Sequence, residues 1–60
     1  MELSIYVGKL VRIDLINNYF YQGLVLSSDD NSLTLRDRNG NIVSLKENSI
    51  LYIREVKNGN

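Results

Sequence analysis

Hydrophobic and polar residues alternate with a period of two along most of the chain. Val11, Ile13 and Leu15 alternate with Arg12 and Asp14, for example. Such alternation predicts a strand with one face in the protein core and the other in water. The chain shows no long stretch with helical periodicity. The pattern therefore indicates an all-β protein.

Five strands are expected from this pattern and from the polar segments that interrupt it. The predicted strands are residues 11–15, 19–27, 33–36, 42–45 and 50–56. Residues 1–8 are expected to form a lead-in or one short helical turn, and residues 57–60 a frayed tail. All 60 residues belong to one domain, because a chain this short is below the usual size of a single domain.

Two dipeptides and one glycine carry conformational information. Asn17-Asn18 predicts a turn, since Asn tolerates left-handed backbone angles. Asn39-Gly40 predicts a hairpin with a type I′ turn, in which both central residues have positive φ. Gly23, inside the second predicted strand, indicates a sharp bend or bulge, and the alternative is a glycine required by close packing.

Together these elements predict a small, strongly bent five-stranded SH3-like barrel that is partly open, with strands four and five at its edges. Strand five has apolar residues on both faces, and the chain has no proline that would block an exposed edge. A domain of this size has a marginal core. We therefore expect self-association at these edges, whereas cover by a loop or by the N-terminal turn is the alternative. The predicted interface residues are Val43, Leu45, Leu51, Tyr52 and Ile53.

Composition excludes several functional classes. The chain has no Cys and no His, and seven basic residues balance seven acidic ones. This removes disulfides, thiolate and imidazole ligands, and the usual catalytic bases and nucleophiles. We therefore predict no enzyme activity, no metal and no cofactor. No apolar run is long enough for a membrane span and no signal peptide is visible, which predicts a cytoplasmic protein with no membrane partner.

The order of the motifs resembles the Sm and Sm-like (LSm, Hfq-related) family from residue 7 to about residue 56. Residues 8–15 resemble the start of the family's first motif, and Tyr21, Gly23 and Val25 match its aromatic, glycine and hydrophobic positions. Residues 29–37 resemble its acidic loop and third strand. Residues 45–53 keep the hydrophobic spacing of the second motif.

This resemblance implies a homo-oligomeric ring of about five to seven copies in which strand four of one copy pairs with strand five of the next. It also implies a pore site for single-stranded RNA or short nucleotides. By position, the site residues are Asp30, Asn31, Ser32, Lys46, Glu47 and Asn48. The stacking position is polar or acidic here and Lys-Glu replaces the family's Arg-Gly, so we expect weak RNA binding.

Two alternatives remain for the function. One is a ring-shaped structural or protein-interaction scaffold that does not bind RNA. The other is DNA binding by the outer sheet, for which the arginines at positions 12, 36, 38 and 54 would have to form a basic stripe. Core or seam positions are expected for the tyrosines, and Tyr19 with Phe20 is the aromatic pair with the best prospect of exposure.

Overall fold

A computed structural model describes residues 2–56 and shows one antiparallel sheet of five strands. The strands are β1 (Leu10–Leu15), β2 (Phe20–Ser28), β3 (Ser32–Asp37), β4 (Ile42–Lys46) and β5 (Ile50–Glu55), in the spatial order β4-β3-β2-β1-β5. Two short 3-10 helices, Leu3–Tyr6 and Glu47–Ser49, precede β1 and β5. The all-β class and the five strands are confirmed, and the predicted N-terminal turn is the first 3-10 helix. The predicted tail, residues 57–60, lies outside the described residues.

The sheet is not closed into a barrel. Over residues 2–56, β4 and β5 have a strand neighbour on one side only. They are therefore the two edge strands, as predicted from their positions in the chain. Each of them has one row of backbone hydrogen-bonding groups directed away from the sheet.

The core lies on one face of this sheet. Val11, Ile13 and Leu15 alternate in β1 with half-buried polar residues, as the period of two requires. Leu3, from the first 3-10 helix, is 2% exposed and packs into the same cluster. This helix thus covers part of the core side of the sheet. The buried cluster is Leu3, Val11, Ile13, Leu15, Val25, Leu33, Leu35, Leu45 and Ile50.

Gly23 is required by a close approach of two strands, and the bulge lies elsewhere. A Cβ at position 23 would stand 2.1 Å from the carbonyl oxygen of Arg36 in β3. The register between β2 and β3 shifts between Val25 and Ser27, so the irregularity falls at Leu26. The bulge therefore lies at Leu26 and not at the predicted Gly23, and the alternative, a glycine required by close packing, is confirmed. The sharp bend predicted at Gly23 stays a prediction.

The hairpin between β3 and β4 forms with a different turn from the one predicted. Gly40 has φ of 87°, whereas Asn39 does not have a positive φ. The carboxylate of Asp37 accepts hydrogen bonds from the backbone N–H groups of Asn39 and Asn41, both at 2.9 Å. The turn is therefore not type I′, which needs two positive φ angles. Asn18, with φ of 74°, confirms the left-handed residue predicted in the β1–β2 turn.

Candidate functional site

Two loops that are far apart in the sequence meet at one end of the sheet. Ser32 pairs with Lys46 where β3 and β4 run side by side. The backbone N–H of Glu47 donates a hydrogen bond of 2.8 Å to the carbonyl oxygen of Asn31. An open concavity of about 510 Å³ lies at this junction. It is lined by Asn31, Lys46, Glu47, Asn48 and Ile50.

The β2–β3 turn is fixed by Asp29. The Asp29 carboxylate accepts hydrogen bonds from the Ser32 hydroxyl at 2.8 Å and from the backbone N–H of Asn31 at 3.2 Å. The Ser32 bond is the main cause of a lowered pKa at Asp29, with the Asn31 N–H adding to it. The carboxylate is therefore ionised at neutral pH, and Ser32 uses its hydroxyl proton within the turn.

The β4–β5 loop is held by Ser49. Its hydroxyl donates to the carbonyl oxygen of Lys46 at 2.8 Å, which closes the 3-10 helix on itself. The carbonyl oxygen of Ser49 accepts from the backbone N–H of Ile16 at 3.0 Å. Hydrogen bonds therefore hold the loop at Lys46 and at Ser49. The backbone between them positions Lys46, Glu47 and Asn48.

The structure brings four of the six predicted RNA-binding residues together. Asn31, Lys46, Glu47 and Asn48 all line the concavity, whereas Ser32 is absent from its lining. Asp30 lies instead at a separate hollow of about 280 Å³ beside the first 3-10 helix. Asp30 therefore does not line this concavity, and its predicted contact with a base stays a prediction.

The lining residues favour polar contacts over base stacking. Asn31 and Asn48 each offer an amide donor and acceptor, and Lys46 supplies a cation. Glu47 places a carboxylate beside Lys46, and Ile50 forms an apolar floor that is 7% exposed. No aromatic side chain is among these described lining residues. A nucleotide would be held by hydrogen bonds and one positive charge, with a nearby negative charge opposing its phosphate.

The predicted interface residues are unequal in exposure. Leu45 is only 8% exposed and belongs to the core, which argues against a side-chain role at an interface. Val43 and Ile53 are partly buried against the core. Leu51 and Tyr52 are 59% and 49% exposed on β5. Ile42, on β4, was missed by the sequence prediction and is 60% exposed.

The bulge in β5 explains the exposure of Leu51. Leu15 pairs with Ile50 and Asp14 pairs with Tyr52, so Leu51 is an additional residue between two ladder positions. The extra residue allows Ile50 to face the core while Leu51 remains outside it. A regular alternation could not have predicted this orientation.

We call the face of the sheet opposite the core the outer face. A cationic and aromatic cluster lies on this face where β5, β1 and β2 run side by side. The Arg12 Nε atom donates to the Asp14 carboxylate at 3.1 Å, and the Arg12 guanidinium lies 4.0 Å from the centre of the Phe20 ring. Arg54 lies 6.0 Å from the centre of the Tyr52 ring. Asp14 stands between Tyr52 on β5 and Phe20 on β2.

Asp14 and Tyr52 alter each other's titration. The hydrogen bond from the Tyr52 hydroxyl is the largest cause of the lowered pKa of Asp14, and Arg12 adds to it. The same hydrogen bond is the largest cause of a raised pKa at Tyr52. Tyr52 and Phe20 both pair with Asp14 and so lie on the outer face. Tyr19 is also exposed, at 68%. Tyr6 and Tyr21 pack against the core as predicted.

Three of the four arginines of the suggested basic stripe share the outer face. Arg12 lies opposite Arg54 in the β1–β5 ladder. Arg36 pairs with Leu24, which pairs in turn with Leu10, two residues before Arg12. The alternation in the sequence indicated that each of these arginines faces away from the core. Only the order of the strands in the sheet showed that the three lie on neighbouring parts of one face.

The described part of the chain has neither a cluster of metal-ligating side chains nor a membrane-spanning helix. No group of three or more potential metal-ligating side chains converges within residues 2–56. In the same range, neither of the two helices has the length and apolar character needed to cross a bilayer.

Comparison with known proteins adds no relative. No protein-family model, no curated protein and no solved structure matches this chain.

Proposed function

We propose that the chain forms a closed homo-oligomeric ring of the Sm-like kind, with about five to seven copies, by pairing β4 of one copy with β5 of the next. The loop concavity of each copy then weakly binds single-stranded RNA or short nucleotides. A cytoplasmic location stays a prediction from the sequence. The observation that carries the ring is that β4 and β5 are the two end strands of an antiparallel sheet.

Exposed apolar side chains on both edges support this pairing. Ile42 on β4 is 60% exposed and Leu51 on β5 is 59% exposed. Within residues 2–56, neither edge is protected by proline or covered by another strand. Exposed edges of this kind pair readily with another chain, because both the backbone groups and the apolar side chains gain partners. Two different edges on one subunit give a heterologous contact, which closes into a ring when the rotation between copies permits it.

The geometry of the concavity supports a weak, polar nucleotide site. Asn31 and Asn48 can bond to base edges, and Lys46 can bond to a phosphate or a ribose hydroxyl. Glu47 and the absence of an aromatic residue among the described lining side chains reduce the affinity. Stacking on an aromatic ring contributes about 1–3 kcal/mol per base at other single-strand sites, and this contribution is lacking here.

Native mass and oligouridine binding test the two parts separately. Light scattering at micromolar concentration should give several times the mass of one chain, and a monomer at that concentration would exclude the ring. Fluorescence anisotropy with a labelled oligouridine should show weak binding that falls steeply with salt. Lys46→Ala should weaken it. Lys9→Ala, a lysine paired with Glu55 at 3.7 Å, is the matched control and should not change it.

A scaffold without RNA binding is the second candidate, and the carboxylate of Glu47 at the concavity favours it. A ring whose mass is as expected, but which does not bind oligouridine even at low salt, would support the scaffold. Nanomolar binding at physiological salt would contradict the weak site and require another surface.

A further inference from the structure

Positive charge is concentrated on the outer face of the sheet. The chain as a whole has a formal net charge of zero. Arg12, Arg36 and Arg54 nevertheless share this face with Asp14, the single acid at the described ladder positions of this face. The side chain of Asp14 is only 14% exposed and is engaged by Arg12. The outer face is therefore basic where it meets solvent.

Negative charge is concentrated on the other side of the molecule. Glu2, Asp29 and Asp30 surround the hollow of about 280 Å³ beside the first 3-10 helix. Leu3, in the lining of this hollow, belongs to the core cluster, so the hollow lies on the core side of the sheet and away from the outer face. We call this region the N-terminal side. The pKa of Asp29 is lowered, so this carboxylate of the N-terminal side is charged at neutral pH.

Several of these charges have no ionic partner among residues 2–56. Arg54 lies directly opposite Arg12, and facing like charges destabilise a strand pair. Asp14 forms its ion pair with Arg12. Among the residues that the structure describes, Arg36, Arg54 and Asp30 take part in no ion pair. An anionic partner at the outer face would relieve the repulsion between the two arginines.

Exposed apolar groups occur on the outer face and in the segment that borders the acidic hollow. Phe20 and Tyr52 on the outer face are 52% and 49% exposed. Ile5 lies in the 3-10 helix whose Leu3 and Ser4 line the hollow and is 57% exposed, and Val7, directly after this helix, is 42% exposed. Charged groups beside apolar ones are typical of surfaces that associate, since the apolar contacts add affinity and the charges set the orientation.

We propose that the outer face of one copy docks on the N-terminal side of another, so that rings stack head to tail into columns. The contact joins two different surfaces and therefore does not close on itself. This inference rests on the proposed ring, because several equal contacts per ring make a contact that is weak in one subunit effective by multivalency.

A second copy fits this face better than a nucleic acid does. The same chain supplies Glu2, Asp29 and Asp30 on its other side. Because the net charge is zero, copies do not repel one another at long range, and oppositely charged sides orient them on approach.

Salt dependence and charge reversal test the stacking. Sedimentation velocity and negative-stain microscopy of the whole protein should show columns at about 0.01 M salt, where charges act over about 30 Å. They should show single rings at about 1 M salt, where the screening length is about 3 Å. Arg54→Glu and Asp30→Lys should each prevent stacking at low salt and leave the rings intact.

Mixing the two variants gives the decisive result. Arg54→Glu with Asp30→Lys restores opposite charges at every contact, so columns should return. The matched control is a mixture of Arg54→Glu with Arg36→Glu, both altered on the same face, which should stay as single rings.

Single rings of the unmodified protein at low salt would overturn the stacking and leave the proposed ring standing. Columns that survive Arg54→Glu, or an outer face that binds oligonucleotide instead of a second copy, would also overturn it. A monomer at both salt concentrations would contradict the ring and the stacking together.

Discussion

Tyr52 lies directly opposite Asp14 in the β1–β5 ladder, and its hydroxyl group is the main cause of the lowered pKa of the Asp14 carboxyl. The pair links the edge strand β5 to the adjacent strand on the outer face. Because Arg12 binds the same carboxylate at 3.1 Å, the acid is held from two sides.

Removing the tyrosine hydroxyl should raise the pKa of Asp14. Tyr52→Phe keeps the ring and its contacts and deletes only the hydrogen-bond donor. The pKa should then rise toward the ordinary value of 3.8, because the largest cause of its lowering is removed while Arg12 remains. An NMR titration of the Asp14 side-chain carboxyl measures this. Tyr19→Phe is the control and should have no effect, and an unchanged pKa in Tyr52→Phe would refute the proposed cause.

The same pair predicts how stability depends on pH. The folded-state pKa of Asp14 is lowered, so its contribution to stability is present above about pH 4 and is lost as the pH falls through the folded value. The folded-state pKa of Tyr52 is raised, so its contribution is present below about pH 10 and is lost as the pH rises through the folded value. Thermal melts of Asp14→Asn should depend less on pH at the acid end than those of the parent protein. Equal acid sensitivity in both would show that other carboxyls dominate.

Any side chain at position 23 should destabilise the fold. In Gly23→Ala, the new Cβ would lie 2.1 Å from the Arg36 carbonyl oxygen, so β2 and β3 would have to separate. We expect a loss of more than about 1 kcal/mol in the free energy of unfolding, measured by denaturant titration. Gly40→Asn is the comparison, because Gly40 needs only a positive φ, which Asn tolerates, and its loss should be smaller. Equal melting of Gly23→Ala and the parent would contradict the close approach.

A charge on the β4 edge should separate the copies without unfolding them. Ile42→Asp is suited to this test because the side chain is 60% exposed. A charge at Ile53 would also disturb the core, against which that residue packs. Light scattering should show a smaller mass for Ile42→Asp, with circular dichroism reporting on the fold. Ile16→Asp, at a position that is 63% exposed outside both edge strands, should keep the parent mass. An unchanged mass for Ile42→Asp would argue against pairing through β4.

Adding a ring to the loop concavity should strengthen oligouridine binding. Asn31 lines the concavity and Asp30 does not, so residue 31 is the position at which to restore stacking. Asn31→Tyr with Glu47→Gln adds an aromatic surface and removes one carboxylate. The affinity should rise by roughly fivefold to 150-fold, given about 1–3 kcal/mol per stacked base. The same aromatic placed by Asp30→Tyr should give little gain, and an equal gain from both would place the site elsewhere.

The sequence by itself determined the class of fold and the approximate strands. Alternation in residues 11–15 fixed which side chains of β1 face the core, because strand side chains point to opposite faces in turn. Local turn chemistry also located Asn18 and the hairpin at Asn39-Gly40. The type of that hairpin turn was not predictable, since it depends on two hydrogen bonds to the Asp37 carboxylate.

Only the tertiary structure decided which distant residues meet. It placed Asn31 beside Glu47 through a backbone hydrogen bond, and it separated Asp30 from that concavity. It also placed Leu51 outside the core through a bulge, and assigned Gly23 to a contact with β3. The physical reason is the same in each case. A residue pattern encodes which face of a strand is buried, whereas register, bulges and loop contacts depend on strands that are adjacent only after the chain has folded.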